Sequence, residues 1–305
     1  MARFLTFALV APMASFGDIA AGGFRDGVLR PARSALLGLI AGCLGLTREE
    51  ETEHRALSDH YGIALLCYNN GDLLIDYHTA QMAPAMRKRV YATRAAELAV
   101  DPTELSTVLS YRDYRTGSWH LAALWLRDDK GPWTLEELQN ALNRPVFTPY
   151  WGRKSCPFSL PFTPEIMEEE TAAQALLERH ASGKESQLFY GARFRKEEQS
   201  LKDDAEGDEE SAEEKKEEKA PAAYLFFRNR QSGQKDNSAM TIVMDARDVE
   251  RQGGACVLSR RENRRDQPLS RTRWEFGLRE EAVLTVPSSK LLSPKASMSE
   301  AEVQS

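Results

Sequence analysis

The feature that most constrains the fold is a pair of apolar segments near the N-terminus. Residues 3–10 are rich in apolar and strand-forming side chains and stop just before a proline, which predicts a buried first strand. After a glycine-rich loop, residues 32–46 are apolar on nearly every side, as in a helix enclosed by a core. Gly38 and Gly42 indicate close packing of this helix on a sheet. The two segments together predict a sheet covered by helices.

Further strands and a basic segment follow. Residues 61–68 and 73–77 have strand character and flank an Asn-Asn-Gly-Asp turn, so we expect them to pair as a hairpin. Residues 78–118 are longer and more basic than a compact domain needs. They predict a protruding arm.

A last strand and a capped helix close the first half. Residues 119–127 predict a strand, and Thr134 with Glu137 three residues later forms the capping box of a helix. The resulting order is close to the β-α-β-β-α-β ferredoxin-like plan, which RNA-binding domains also use. The prediction is an α+β fold whose residues 1–160 form a ferredoxin-like (RRM-like) unit.

The second half has a weaker pattern. Residues 163–180 predict a helix, and residues 224–227 and 241–244 resume strand character. We therefore expect a smaller β-rich lobe over residues 161–285, followed by a flexible, serine-rich tail over residues 286–305.

Charge is distributed very unevenly along this half. Residues 196–219 hold twelve acids and five bases, a net charge of −7, so the rest of the chain carries +1 of the total of −6. So charged and apolar-poor a run predicts a disordered insertion. From Arg251 to Arg279, by contrast, eight arginines stand against three acids.

The cysteines and the hydropathy indicate a cellular compartment. The four cysteines are scattered without any CxxC pair, so a reduced, cytoplasmic protein is expected. No apolar run reaches the roughly 20 residues that span a bilayer, and no membrane partner is expected. The apolar start at residues 4–10 is interpreted as a core strand rather than a leader.

Catalytic motifs are absent from the sequence. It contains no GxxxxGK[ST] phosphate loop, no GxSxG elbow and no HExxH helix. The five histidines stand apart from one another and from the cysteines, so neither a metal nor a cofactor is expected. Cys156 precedes a proline without an identifiable base, which favours a packing role. No catalytic pattern therefore stands out in the sequence.

Three clusters combine cations with aromatic residues or glycine, a combination that suits phosphates and unpaired bases. Each cluster also has a purely structural interpretation: a solvated loop for the first, an exposed strand face for the second, and a rigid loop with incidental charge for the third. The first cluster also offers the free amides of a helix start. The predicted RNA-binding residues are Arg25, Arg30, Arg33 and Ser34; Tyr111, Arg112 and Arg115; and Gly152, Arg153 and Lys154.

Several segments together resemble the type I-E branch of the fifth CRISPR-associated (Cas) protein family. They occur in the family's order at residues 11–13, 15–17, 33–39, 76–79, 111–114, 123–126 and 148–157, and a weaker match follows at residues 266–268 and 271–279. The segment at 148–157, which contains Gly-Arg-Lys-Ser-Cys-Pro, is the most specific. The sequence departs from the family at Phe16 and Ala32, where Trp and Thr are usual, and in the acidic run.

The resemblance implies a ferredoxin-like palm with a protruding hairpin thumb at about residues 78–118. It further implies a non-catalytic subunit of the Cascade surveillance complex that binds the 5′ handle of the guide RNA (crRNA). The expected partners are the backbone subunit, the large subunit and, through the complex, target DNA.

Two other functions stay open. Relatives of the c subtype cut repeat RNA without metal, which would require an acid or base such as Tyr77, His78 or His120 here. A free-standing RNA-binding regulator is the third possibility, and it would function without Cascade partners.

Overall fold

The computed structural model describes residues 1–17, 20, 22–84, 90–182, 184 and 240–287 of the chain. Its strands are β1 (Ala2–Ala14), β2 (Phe24–Arg25), β3 (Tyr61–Asn69), β4 (Asp72–Met82), β5 (Ser106–Leu126), β6 (Glu165–Glu169), β7 (Thr241–Asp245), β8 (Val257–Ser270) and β9 (Glu275–Thr285). Its helices are α1 (Arg33–Leu44), α2 (Glu51–His60), α3 (Arg94–Leu98), α4 (Leu135–Asn143), α5 (Ala172–Ala181) and α6 (Val249–Gln252). Short 3₁₀ turns occupy Pro102–Glu104 and Ala246–Asp248. The fold is α+β, as predicted.

The described strands form one sheet, in the order β6-β1-β5-β3-β7-β9-β8, with β2 and β4 paired to β5. Helix α1 packs on one side of it, where Leu36 and Ile40 join Leu5, Phe7 and Leu9 in a core. Helix α5 packs on the other side with the alternate residues of β1. Because β1 is buried on both faces, it reads as an unbroken apolar run, and the predicted core strand is confirmed.

The predicted hairpin between β3 and β4 is wrong, because both strands pair with β5. The register shifts at Asn69, and Gly71 adopts a φ of 76°, so the chain continues along β5 instead of turning back on itself. Strand β4 and residues 106–116 of β5 form a ribbon, to which the two residues of β2 add a short third strand, and the β4 residues are almost all exposed. The ribbon overlaps the arm predicted at 78–118, of which residues 85–89 lie outside the described residues.

Helix α1 begins and ends close to its predicted bounds, but its glycines do not serve the predicted purpose. The buried side chains of α1 belong to its leucines, Ile40 and other residues on the opposite surface. A Cβ at Gly38 would lie 3.6 Å from the Arg271 guanidinium, and one at Gly42 would meet nothing within 4 Å. The glycines therefore face open space and Arg271 rather than the sheet.

The helix predicted over residues 163–180 is wrong in its first part. Glu165–Glu169 forms β6, which pairs with the outer edge of β1 and satisfies the backbone groups there. Helix α5 starts only after Thr171, whose side chain accepts a hydrogen bond from the Gln174 amide as an N-cap. The capping box of Thr134 and Glu137 in α4 is confirmed.

The C-terminal strands extend the same sheet. Strand β7, predicted from residues 241–244, pairs with β3 on one side and with β9 on the other. The boundary predicted at residue 160 therefore does not correspond to a break in the sheet. The acidic run at 196–219, the strand at 224–227 and the tail from residue 288 lie outside the described residues.

His120 of β5 lies in the core on the α1 side and is 0% exposed. Its neighbour across the sheet is Cys67, and its ring lies 6.0 Å from that of Phe16. Neither ring nitrogen has a hydrogen-bond partner among the described residues. Burial, with a smaller contribution from the charge of Arg30, lowers the pKa of His120 to about 3.

This burial makes stability depend on pH. In the unfolded chain a histidine binds a proton near pH 6.5, so between pH 6.5 and 3 the unfolded state holds more protons and unfolding becomes easier as pH falls. We expect the free energy of unfolding to drop by about 2 kcal/mol more in the wild type than in His120→Leu between pH 7 and 5. Urea denaturation at the two pH values measures this difference. His54→Leu, at a partly exposed histidine, is the control, and parallel losses in wild type and His120→Leu would contradict the prediction.

Candidate functional site

The two faces of the ribbon carry different side chains. Residues of β5 alternate, so Arg112 and Tyr114 lie on the α1 side of the sheet, whereas Tyr111 and Arg115 lie on the α5 side. Tyr111 and Arg112, which the sequence pattern placed in one cluster, therefore lie on opposite faces of the ribbon. The Arg115 Nε is buried without a partner among the described residues.

Three arginines come together on the α1 side. Arg25 of β2 pairs directly with Arg112 of β5, so their side chains share a face. The Arg153 guanidinium lies 4.7 Å from the ring centroid of Tyr114, two residues beyond Arg112. We call Arg25, Arg112, Tyr114 and Arg153 the cationic face. Within the described residues, none of its arginines forms an ion pair, so their charges are available to an anion.

Arg25 and Arg112 make only local hydrogen bonds on this face. Arg25 Nη1 donates to the carbonyl oxygens of Gly22 and Phe24 at 2.6 and 3.0 Å. Arg112 Nε donates to Ser110 Oγ at 3.3 Å. Each guanidinium keeps donor groups that can bind a phosphate oxygen.

The loop that presents Arg153 and the exposed Lys154 is fixed to the end of β1. The Ser15 amide donates to the Trp151 carbonyl at 3.1 Å, and Gly152 has a φ of 89°. A Cβ on Gly152 would lie 1.8 Å from the Ser15 carbonyl oxygen. Gly152 was predicted to allow close approach of RNA, but the approach that it allows is that of the protein backbone.

Arg33 does not reach the surface. It is 3% exposed, and its guanidinium lies 3.2 Å from Asp245 and donates to the carbonyl oxygens of Ser58 and Tyr61 at 2.7 and 3.0 Å. Burial, only partly offset by Asp245, lowers its pKa to about 10, which still leaves it charged at neutral pH. The prediction that Arg33 binds a phosphate is corrected, because its charge is used inside the protein.

Arg30 is corrected in the same way. Its Nη2 lies 2.6 Å from a carboxylate oxygen of Glu281 and 2.6 Å from one of Glu262. Burial opposes the charge, but these two carboxylates outweigh it and raise the pKa of Arg30. A guanidinium held by two carboxylates has little affinity left for a phosphate.

The α5 side of the ribbon carries an apolar face that the sequence analysis did not identify. It consists of Phe24, Leu73, Ile75, Tyr77, Leu109 and Tyr111, all of them exposed. The rings of Phe24 and Tyr111 stack at a centroid distance of 5.2 Å, and Tyr77 lies 5.1 Å from Tyr111. The large apolar residues at 73, 75 and 77, which share one face of a strand, were the signal that could have revealed this face.

A groove of about 1250 Å³ lies over α1, and its lining includes Gly152, the chain neighbour of Arg153. Its walls are the loop at residues 147–152 and the turn between β8 and β9, and its floor includes Ser34, Gly38 and Gly42. The predicted residue Ser34 contributes its carbonyl oxygen, which accepts a hydrogen bond from Arg271 Nη2 at 2.9 Å. Arg48, Arg271 and Trp274 of the groove were missed, although Trp274 within an arginine-rich stretch was a visible signal.

The residues considered for catalysis are not brought together. His120 is buried, and Tyr77 and His78 are neighbours in β4 that point to opposite faces of the ribbon. His78 Nδ1 lies 3.8 Å from Asp76 Oδ2 at the surface. Across the described residues, no group of three potential ligands could hold a metal ion, and no helix is long and apolar enough to cross a membrane.

Known proteins resemble this chain in both sequence and structure. Over 177 residues it is 29% identical to the CRISPR system Cascade subunit CasD of Escherichia coli (strain K12). The aligned region covers 58% of this chain and 77% of CasD. A solved structure titled "CRISPR RNA-guided surveillance complex" superposes with a TM-score of 0.52 at 19% identity, covering 96% of this chain and 95% of that one, which shows a shared fold.

The family profile described as CRISPR-associated protein (Cas_Cas5) matches residues 4–235, most of the chain. The resemblance found in the sequence is thereby confirmed, and the chain belongs to the CRISPR-associated protein (Cas_Cas5) family.

Proposed function

We propose that this protein is a non-catalytic RNA-binding subunit of a type I-E CRISPR Cascade complex in the cytoplasm, where it holds the 5′ handle of the guide RNA. The observation that carries the proposal is the cationic face, where Arg25, Arg112 and Arg153 lie on one side of the ribbon with Tyr114 and none of them forms an ion pair among the described residues. Family membership and the likeness to a Cascade subunit support the complex in which it works.

A ferredoxin-like palm with a thumb is part of the proposal. The strand order β6-β1-β5-β3, with α1 after β1 and α4 between β5 and β6, supports the palm. The ribbon of β4 and β5, which projects with exposed side chains on both faces, supports the thumb.

The cationic face suits a single-stranded RNA end. Guanidinium groups neutralise backbone phosphates, and an aromatic ring beside them can stack on an unpaired base. Arg153 covers Tyr114, which is itself buried, so on this face phosphate binding dominates and base stacking requires another surface.

The apolar face suits a protein partner. Six large apolar side chains are exposed together on one side of the projecting ribbon. An exposed apolar patch of this kind is typical of a surface that another protein covers. We propose that a neighbouring Cascade subunit, either the backbone or the large subunit, packs here while RNA occupies the opposite face. Contact with target DNA then occurs through the complex.

Cleavage of repeat RNA is the alternative function, and the exposed pair of His78 and Asp76 is the observation that favours it. Against it, Tyr77 and His78 point to opposite sides and His120 is enclosed in the core, so no second acid or base accompanies His78 among the described candidates.

The phosphate contacts should appear in the salt dependence of binding. Arg112→Gln and Arg153→Gln should each weaken binding of handle RNA and reduce the slope of log K against log salt by about 0.7, the value for one phosphate contact on a single strand. Filter binding over a series of salt concentrations measures the slope. Lys130→Gln, an exposed cation beyond the far end of β5, should leave the slope unchanged, and unaltered slopes in both arginine variants would contradict the assignment.

The apolar face should matter for assembly and not for RNA. Ile75→Asp should lower the amount of other Cascade subunits that co-purify by roughly tenfold, because a buried isoleucine contributes about 1.5–3 kcal/mol. Its RNA affinity should match the wild type, since Ile75 lies on the other side of the ribbon. Val257→Asp places the same change at an exposed valine of β8. If wild type itself purified without Cascade subunits, the free-standing regulator would be favoured instead.

Labelled repeat RNA distinguishes binding from cleavage. Incubated with the protein in EDTA, it should stay intact while it is retained on a filter. A cut at one position that disappears in His78→Ala would establish the nuclease, whereas a cut that persists in His78→Ala would point to contamination.

A further inference from the structure

The floor of the groove over α1 is formed by small residues. Ala35, Gly38 and Gly42 line it, and a Cβ at Gly42 would meet no atom within 4 Å. Glycine in the middle of a helix reduces helix stability. Two glycines on the open surface of α1 therefore cost stability, and they leave this part of the groove floor without side chains of its own.

Two arginines converge on one aromatic ring at the side of this groove. The guanidinium carbons of Arg48 and Arg271 lie 4.9 and 5.9 Å from the ring centroid of Trp274. Neither arginine forms an ion pair with a described carboxylate, and burial together with the charge of Arg48 lowers the pKa of Arg271. The positive charges of the two arginines repel each other, and an anion between them would relieve the repulsion.

The aromatic side chains are presented to the groove and not hidden beneath it. Trp274 is 58% exposed. Its φ of 60° is unusual for a residue other than glycine. Across the groove stand the exposed rings of Phe147 and Tyr150. Trp151, which also lines the groove, is 1% exposed, and its Nε1 lacks a hydrogen-bond acceptor among the described residues.

We propose that the groove binds one unpaired nucleotide of single-stranded RNA, with the base packed on Trp274 and the phosphate between Arg48 and Arg271. Aromatic rings beside guanidinium groups are the combination that recognises such a nucleotide. The groove begins at Tyr150 and Gly152, next to Arg153 of the cationic face, so one strand can follow both surfaces. This inference rests on the proposed RNA-binding function and identifies where a base of that RNA is held.

Charge favours RNA over an apolar peptide as the occupant. Arg48, Arg265 and Arg271 line the groove against two acids, Asp266 and Glu275. Asp266 is already bonded to Arg279 at 2.8 Å, which leaves Glu275 as the acid opposing three arginines. An apolar peptide would leave these arginines unneutralised.

Gly42→Leu is the decisive variant, because it adds a side chain to the floor of the groove at a position where a Cβ meets no atom within 4 Å. Because leucine is a better helix former than glycine, its unfolding midpoint should equal or exceed that of the wild type. The probe is a short, fluorescently labelled single-stranded oligoribonucleotide, and its affinity for the full chain is measured by anisotropy. We expect Gly42→Leu and Trp274→Leu to bind it about tenfold more weakly, the loss of one stacked base. Asn140→Leu, on the exposed surface of α4, should bind like the wild type.

The outcomes distinguish a failure of the nucleotide site from a failure of the proposed RNA-binding function. Equal affinity of wild type, Gly42→Leu and Trp274→Leu for the RNA would overturn the nucleotide site and leave the RNA-binding function standing. Failure of the wild type to bind any RNA would overturn both. Unchanged RNA affinity in Gly42→Leu with loss of co-purifying subunits would make the groove a protein-docking surface. If tripolyphosphate displaced the labelled RNA as effectively as unlabelled RNA does, the proposal of a stacked base would be rejected.

Discussion

The buried carboxylate of Asp245 is the contact on which the arrangement of the molecule depends. It accepts hydrogen bonds from Arg127 at 2.5 Å and from Arg279 at 2.9 Å, and the Arg33 guanidinium lies 3.2 Å away. Burial would raise the pKa of Asp245, but the three arginines outweigh it and hold the pKa below its usual value. Removing one member of such a buried set leaves uncompensated charge and costs about 3–5 kcal/mol. Helix α1, the residue that follows β5, and strands β7 and β9 are thereby fixed to one point.

This network also sets the shape of the groove. Arg279 bonds Asp266 of β8 at 2.8 Å, and the second oxygen of Asp266 accepts the Arg33 amide at the start of α1 at 2.9 Å. The hairpin of β8 and β9 is thus held against the N-terminus of α1, where the carboxylate also complements the helix dipole. Arg271 and Trp274, at the end of the same hairpin, are placed above Gly38 as a consequence.

Local signals in the sequence predicted the elements whose causes are local. The apolar run of β1, the helix α1 and the capping box at Thr134 depend on neighbouring residues, and each was confirmed. The strand β6 and the pairing of β3 and β4 with β5 were mispredicted because they depend on partners distant in sequence. The same reason explains Arg33, whose counter-ion Asp245 lies in a strand from the opposite end of the chain. A cation beside a helix start looks the same in a sequence whether its partner is a phosphate or a buried carboxylate.

The two faces of the ribbon would allow one strand to contact two partners at once. Because side chains alternate along β5, Arg112 faces the α1 side, whereas Tyr111 stacks with Phe24 on the other. A ribbon of two long strands and the short β2 gains little stability by itself, so a partner covering the apolar face would also make the cationic face more rigid. RNA bound to Arg112 and a subunit bound at Ile75 would then favour each other without touching, since each orders the backbone that the other uses. Order in the ribbon would therefore link occupation by RNA to assembly of the complex.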